Sequence, residues 1–134
     1  MKEQEKSKLF RELSARLPYN IICNINGIDG YNMRLKGITI MDNGDIVVKF
    51  FNGDYMPKEY YIDEVKPYLR RMESMNKDEQ LHVERYFTYT AYDDWDYVRW
   101  LNEHGFDYSG MIDNGLALEW NDNIKTSKYQ EVEA

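Results

Sequence analysis

Residues 92–110 read Tyr-Asp-Asp-Trp-Asp-Tyr-Val-Arg-Trp-Leu-Asn-Glu-His-Gly-Phe-Asp-Tyr-Ser-Gly, and they carry a full set of helix signals. Asp93, Asp94 and Asp96 place negative charge where a helix N-terminus presents unpaired N–H groups and the positive end of its dipole. Tyr97, Trp100, Leu101 and His104 recur at i, i+3, i+4 and i+7 with Val98 beside them, one apolar stripe on about three turns. Gly105 stands where a left-handed C′ residue is needed. Phe106 follows as C″, and Leu101 is the C3 residue against which a Schellman cap packs it. Start, face and stop agree on a helix. None of these atoms is an evident nucleophile or metal ligand.

Working upstream, Asn76 followed three residues later by Glu79 resembles a capping box. Val83, Tyr86, Phe87, Thr90 and Ala91 then keep helical spacing, which predicts a helix over 77–91. The first half of the chain reads differently. A helix is expected over 3–17, with Leu9, Phe10, Leu13 and Leu17 on one face and Pro18 closing it. Tyr19, Ile21, Cys23 and Ile25 alternate with Asn20, Asn24 and Asn26 in a half-buried strand. In 31–41, Met33 and Leu35 have the opposite parity to Ile38 and Ile40, so a β-bulge is expected at Gly37. Asp42-Asn43-Gly44-Asp45 predicts a type I′ hairpin turn, and Ile46, Val48 and Phe50 alternate with Val47, Lys49 and Phe51 in a third strand. Asn52-Gly53 turns the chain again. A fourth, edge strand fits 59–65, with Pro67 barring its continuation.

These elements predict an α+β fold: an N-terminal helix, a three- to four-stranded antiparallel meander or small open barrel, and a helical C-terminal half covering one sheet face. A single domain is expected over 1–120, with the meander at 19–65, the helical part at 76–118, and a frayed tail at 121–134.

The chain has 134 residues, a hydrophobic fraction of 43%, 12 Tyr and one cysteine. Cys23 therefore has no disulfide partner and fits a reducing compartment. No apolar run approaches the length of a membrane span and no apolar core follows the charged N-terminus, so a cytoplasmic protein is expected. Residues 92–134 hold 10 acidic and 3 basic side chains, which accounts for the entire net charge of −7. Such a half repels phosphate backbones, so nucleic acid is not expected as its partner. His82 and His104 lie 22 residues apart in no metal-binding pattern, and nucleotide and zinc motifs are absent. The acidic residues fit no calcium loop. No catalytic residue, metal or cofactor is expected on these grounds.

The stretches Lys-Pro-Tyr-Leu-Arg-Arg-Met-Glu-Ser-Met-Asn (66–76), Trp-Leu-Asn-Glu-His-Gly-Phe-Asp-Tyr-Ser-Gly-Met-Ile-Asp-Asn-Gly-Leu-Ala-Leu (100–118) and Leu-Ser-Ala-Arg-Leu-Pro-Tyr (13–19) resemble a group of small uncharacterised proteins carried by phages and mobile elements of Bacteroidetes gut bacteria. Arg70-Arg71 and Tyr108-Ser109-Gly110 depart from that group's common Arg-Pro and Tyr-Arg-Gly. The resemblance implies an accessory protein of a mobile element and brings no catalytic residue with it.

The excess of tyrosine is the strongest functional signal. Exposed Tyr and Trp among charges suit protein–protein contact, because they add large area at little entropic cost. The expected function is non-enzymatic binding of a host or viral protein through an acidic, Tyr-rich surface, with Asp93, Asp94, Asp96, Tyr108, Arg70 and Arg71 as candidate residues. The alternative is a small-ligand or nucleotide binder with a cleft between sheet and helices, near Arg70, Arg71 and Trp100. Oligomeric state is open.

Overall fold

The structure, a computed structural model, describes residues 1–50, 58–88 and 94–126, with Asp94 described by its backbone alone. Helix α1 (Glu3–Arg16) gives way to a 3₁₀ turn at Leu17–Tyr19 that takes up Pro18. Strands β1 (Ile22–Ile25), β2 (Asn32–Ile40), β3 (Ile46–Phe50) and β4 (Lys58–Tyr61) follow as an antiparallel meander. After a 3₁₀ turn at Ile62–Glu64, β5 (Val65–Arg71) pairs antiparallel with the other side of β1. Helices α2 (Lys77–Thr88) and α3 (Asp94–Glu103) come next, then the two-residue strands β6 (Phe106–Asp107) and β7 (Leu118–Glu119), both parallel to β5. The fold is α+β, but its sheet is mixed and seven-stranded, larger than the meander read from the sequence.

The short link from β4 to β5 shapes this sheet. In a flat sheet these strands would lie four spacings apart, about 19 Å. Four Cα steps from Tyr61 to Val65 reach about 14 Å at most, so the sheet must curl. The bulge in β2 helps it to do so: the register shifts between Leu35 and Gly37, where the parity change predicted it.

Three local expectations are corrected. Pro67 does not bar a strand but lies inside β5, opposite Cys23. The Glu64 carbonyl accepts from Asn26 N–H at 2.8 Å, so alternation turns the Pro67 nitrogen away from β1, where its missing donor breaks no bond of that ladder. The hairpin turn is not type I′, because Asn43 does not have positive φ while Gly44 does, at +92°. Gly44 N–H bonds to Met41 O and Met41 N–H to Asp45 O, the arrangement of a type I turn with a G1 bulge. Finally, β1 is buried on both faces. Asn24 is 5% exposed and its side-chain amide bonds to Asn32 Oδ1 and Ile28 O. The expected turn at 52–53 and the helix positions 89–91 lie outside the described residues.

Apolar side chains gather in two clusters, where one covered sheet face was expected. The larger is closed by Leu9 and Leu13 of α1, by Cys23, Ile25, Met33, Leu35, Val48, Phe50, Val65 and Leu69 of the sheet, and by the 111–117 segment. The smaller joins Trp100 and Leu101 of α3 to Phe106, with Met72, Met75, Val83 and Tyr86 around them. The C-terminal helices thus pack beside the end of β5, and α1 covers the sheet in their place. Beyond β7, Asn32 donates through Nδ2 to Lys125 O at 3.0 Å.

Candidate functional site

Helices α2 and α3 form an arm tied to β5 by one carboxylate. Asn76 and Glu79 make the capping box, with Glu79 N–H to Asn76 Oδ1 at 2.8 Å and Asn76 N–H to Glu79 Oε1 at 3.0 Å. The same Glu79 carboxylate accepts two bonds of 2.8 Å from Arg70, a bidentate pair. That hydrogen bonding, ahead of an opposing desolvation, holds Glu79 below the usual carboxylate range. Arg70 also lies over the Phe106 ring, 4.3 Å from its centroid.

From Phe106 a chain of rings runs outward between the helices. Trp100 stacks on Phe106 at 5.7 Å and on His82 at 4.9 Å. His82 meets Tyr86 at 5.2 Å, and Tyr97 meets both Tyr86 and Phe87 at 5.5 Å. Each such contact adds about 0.5–1.5 kcal/mol beyond area burial, so the rings hold the two helices as one platform. At its inner end Trp100 is 9% exposed, whereas Phe87 is 75% and Trp95 73% exposed. Residues 77–103 carry seven acidic and three basic side chains, a net charge of −4. The arm therefore carries a net negative charge over its length and bare aromatic area at its outer end. The sequence placed Phe87 on the inward stripe, whereas in the structure its side chain is largely exposed.

The residues singled out from the sequence are dispersed in role. Arg70 is held by Glu79, and Arg71 by Asp113 at 2.9 Å and Glu119 at 2.8 Å. Asp96 pairs with Arg99 at 2.9 Å. Asp93 lies outside the described residues. Tyr108 is half-buried, donates to Asn102 Oδ1 and lies under Arg16, and burial pushes its phenol upward. Tyr31, Tyr60 and Tyr68 likewise bury ring area and hydrogen-bond through the hydroxyl, while Tyr61 is exposed. Among the described residues most of these tyrosines are thus engaged within the fold, and the large exposed aromatic side chains are Tyr61, Phe87 and Trp95.

Cys23 is fully buried, and burial pushes its thiol up, away from the thiolate a nucleophile needs. His104 donates through Nδ1 to Trp100 O at 2.9 Å and packs on the Trp100 ring. Among the described residues no group of three or more His, Cys, Asp or Glu is placed to hold a metal ion. No helix among them is long and apolar enough to cross a membrane. A groove of about 350 Å³ opens between β1, β5 and the end of α3, lined by Tyr19, Tyr68, Arg70, His104 and Trp120 among others. Comparison with protein-family models, with curated proteins and with solved structures returns no match to this chain.

Proposed function

We propose that the chain is a non-enzymatic binding protein that docks a basic region of a partner protein on the outer end of the α2–α3 arm. The observation that carries this reading is the exposure of Phe87 and Trp95, about three-quarters of each, on an arm of net charge −4. Aromatic anchors dominate the energy of protein interfaces, and charge complementarity selects the partner and speeds encounter. The stacked rings beneath keep the anchors from collapsing onto the protein. The setting in a phage or mobile element, with a host or viral protein as partner, rests on the resemblance alone.

The test is affinity capture with the wild-type chain and a Phe87→Ser/Trp95→Ser variant as paired baits. Both side chains are exposed, so the variant's stability should stay within about 0.5 kcal/mol of wild type. A basic protein held by the wild type, released by salt and lost from the variant supports the reading. Recovery of the same proteins on both baits overturns it.

A second reading, a small-ligand or nucleotide site, is favoured only by the groove between β1, β5 and α3. Arg70 there is already held by Glu79, and the buried Trp100 lies behind His82 and His104. A saturable rise in melting temperature with a single nucleotide would bring this reading forward.

A further inference from the structure

We propose that a groove beside the outer strand β4 is a second docking site, one that takes an extended, lysine- or arginine-bearing segment of a partner protein. The groove, about 740 Å³, runs between the 41–45 turn and β4 and is floored by Met41, Val47, Tyr60 and Tyr61. Tyr61 continues into a neighbouring groove of about 450 Å³ toward the start of α1. Two large apolar side chains stand exposed in it, Met41 at 48% and Tyr61 at 55%. An apolar floor on an outer strand is a surface that isolated domains usually blunt.

The wall selects the occupant. Asp42, Asp45, Glu59 and Glu64 line the groove, and among the described residues no Lys, Arg or His lines it with them. Lys49 stands 3.8 Å from Glu59, and Lys6 lines the neighbouring groove with Asp45. The four carboxylates give the groove a negative wall, which a partner's ammonium or guanidinium groups complement while its apolar side chains cover Tyr61. Tyr61 N–H donates to Glu64 Oε2 at 2.8 Å and so is not open to an added strand. The proposed recognition is by side chains, cations against the wall and an apolar residue between them. The site shares no residue with the α2–α3 arm and stands or falls separately from it.

Fluorescence anisotropy with a labelled Lys-Leu-Lys-Leu-Lys peptide and its Glu-Leu-Glu-Leu-Glu counterpart tests the proposal. The lysine peptide is expected to bind saturably and to weaken with salt, and the glutamate peptide not to bind. Tyr61→Ser should weaken binding about tenfold, and Asp42→Lys/Glu59→Lys should abolish it. All three positions are exposed, and melting curves confirm that each variant folds. Absence of saturable binding, or equal binding by the groove variants, overturns the proposal.

Discussion

Arg16 has the largest fully buried side chain in the described structure, and only one of its guanidinium nitrogens has a partner there. Nη2 donates to Phe106 O at 2.8 Å and to Glu12 Oε2 at 3.3 Å, while Nε and Nη1 find none. The position was legible, since Arg16 continues the i, i+4, i+7 series begun by Leu9 and Leu13. Its residue type hid this, because arginine is read as a solvated side chain until its partners are known. Truncation would leave the nearly buried Glu12 carboxylate and the Phe106 carbonyl unpaired. Arg16→Ala is therefore expected to destabilise by about 3–5 kcal/mol in urea unfolding. Arg16→Met combined with Glu12→Gln should recover most of that loss, because the pair leaves together. Equal instability of the two variants would rule out this account of the pair. A second residue-scale prediction concerns Tyr60, whose phenol is pushed up to about 12, first by burial, then by its hydrogen bond to Tyr31, then by the negative charge of Tyr31 and Glu64. The fold favours the neutral phenol. Its contribution is thus complete below the ordinary value of 10.0 and disappears as pH rises through about 12. Tyr31→Phe should bring the Tyr60 transition to lower pH, as read from phenolate absorbance.

Among the elements, helix ends were the most legible because their chemistry is local. Gly105 has φ +73°, and its N–H bonds to Asn102 O at 3.2 Å, the inner bond of a Schellman cap. A Cβ at Gly105 would meet nothing within 4 Å, so Gly105→Ala should cost about 1 kcal/mol through backbone strain alone. Thermal unfolding reads that cost, and a much larger one would mean that α3 and β6 shift together. Gly37 offers a contrast. It marks the bulge, but its Cβ would lie 3.6 Å from the Lys49 Cβ, an ordinary contact, so the parity change carried the information and not the glycine itself. The turn at 42–45 was placed correctly and typed wrongly, since Asn-Gly satisfies both a type I′ turn and a type I turn with a bulge. The strands β6 and β7 could not be read at all. Two residues show no alternation, and both pair with a strand far away in the chain, which local patterning does not encode.

For the molecule as a whole, periodicity says which face of an element is apolar but not which neighbour covers it. The stripe Tyr97, Trp100, Leu101 was read correctly, yet it packs on Phe106 and Met72 and leaves the sheet to α1. That division has a dynamic consequence. Helix α2 has no buried residue and is joined to the rest by Asn76, by the Arg70–Glu79 pair and by stacked rings, whereas β1 and β5 lie in the larger core. Local opening free energies follow buried apolar contact, so native-state hydrogen exchange should find α2 opening first. The amides of α3 around Trp100 and Leu101 should come next, and those of β1 and β5 only with global unfolding. Arg70→Met should lower protection across α2 while leaving β1 unchanged. If α2 exchanged together with β1, the two clusters would be one cooperative unit and this division would be wrong. A partner docking on Phe87 and Trp95 should slow α2 exchange most, because binding to the least stable element shifts the largest open population.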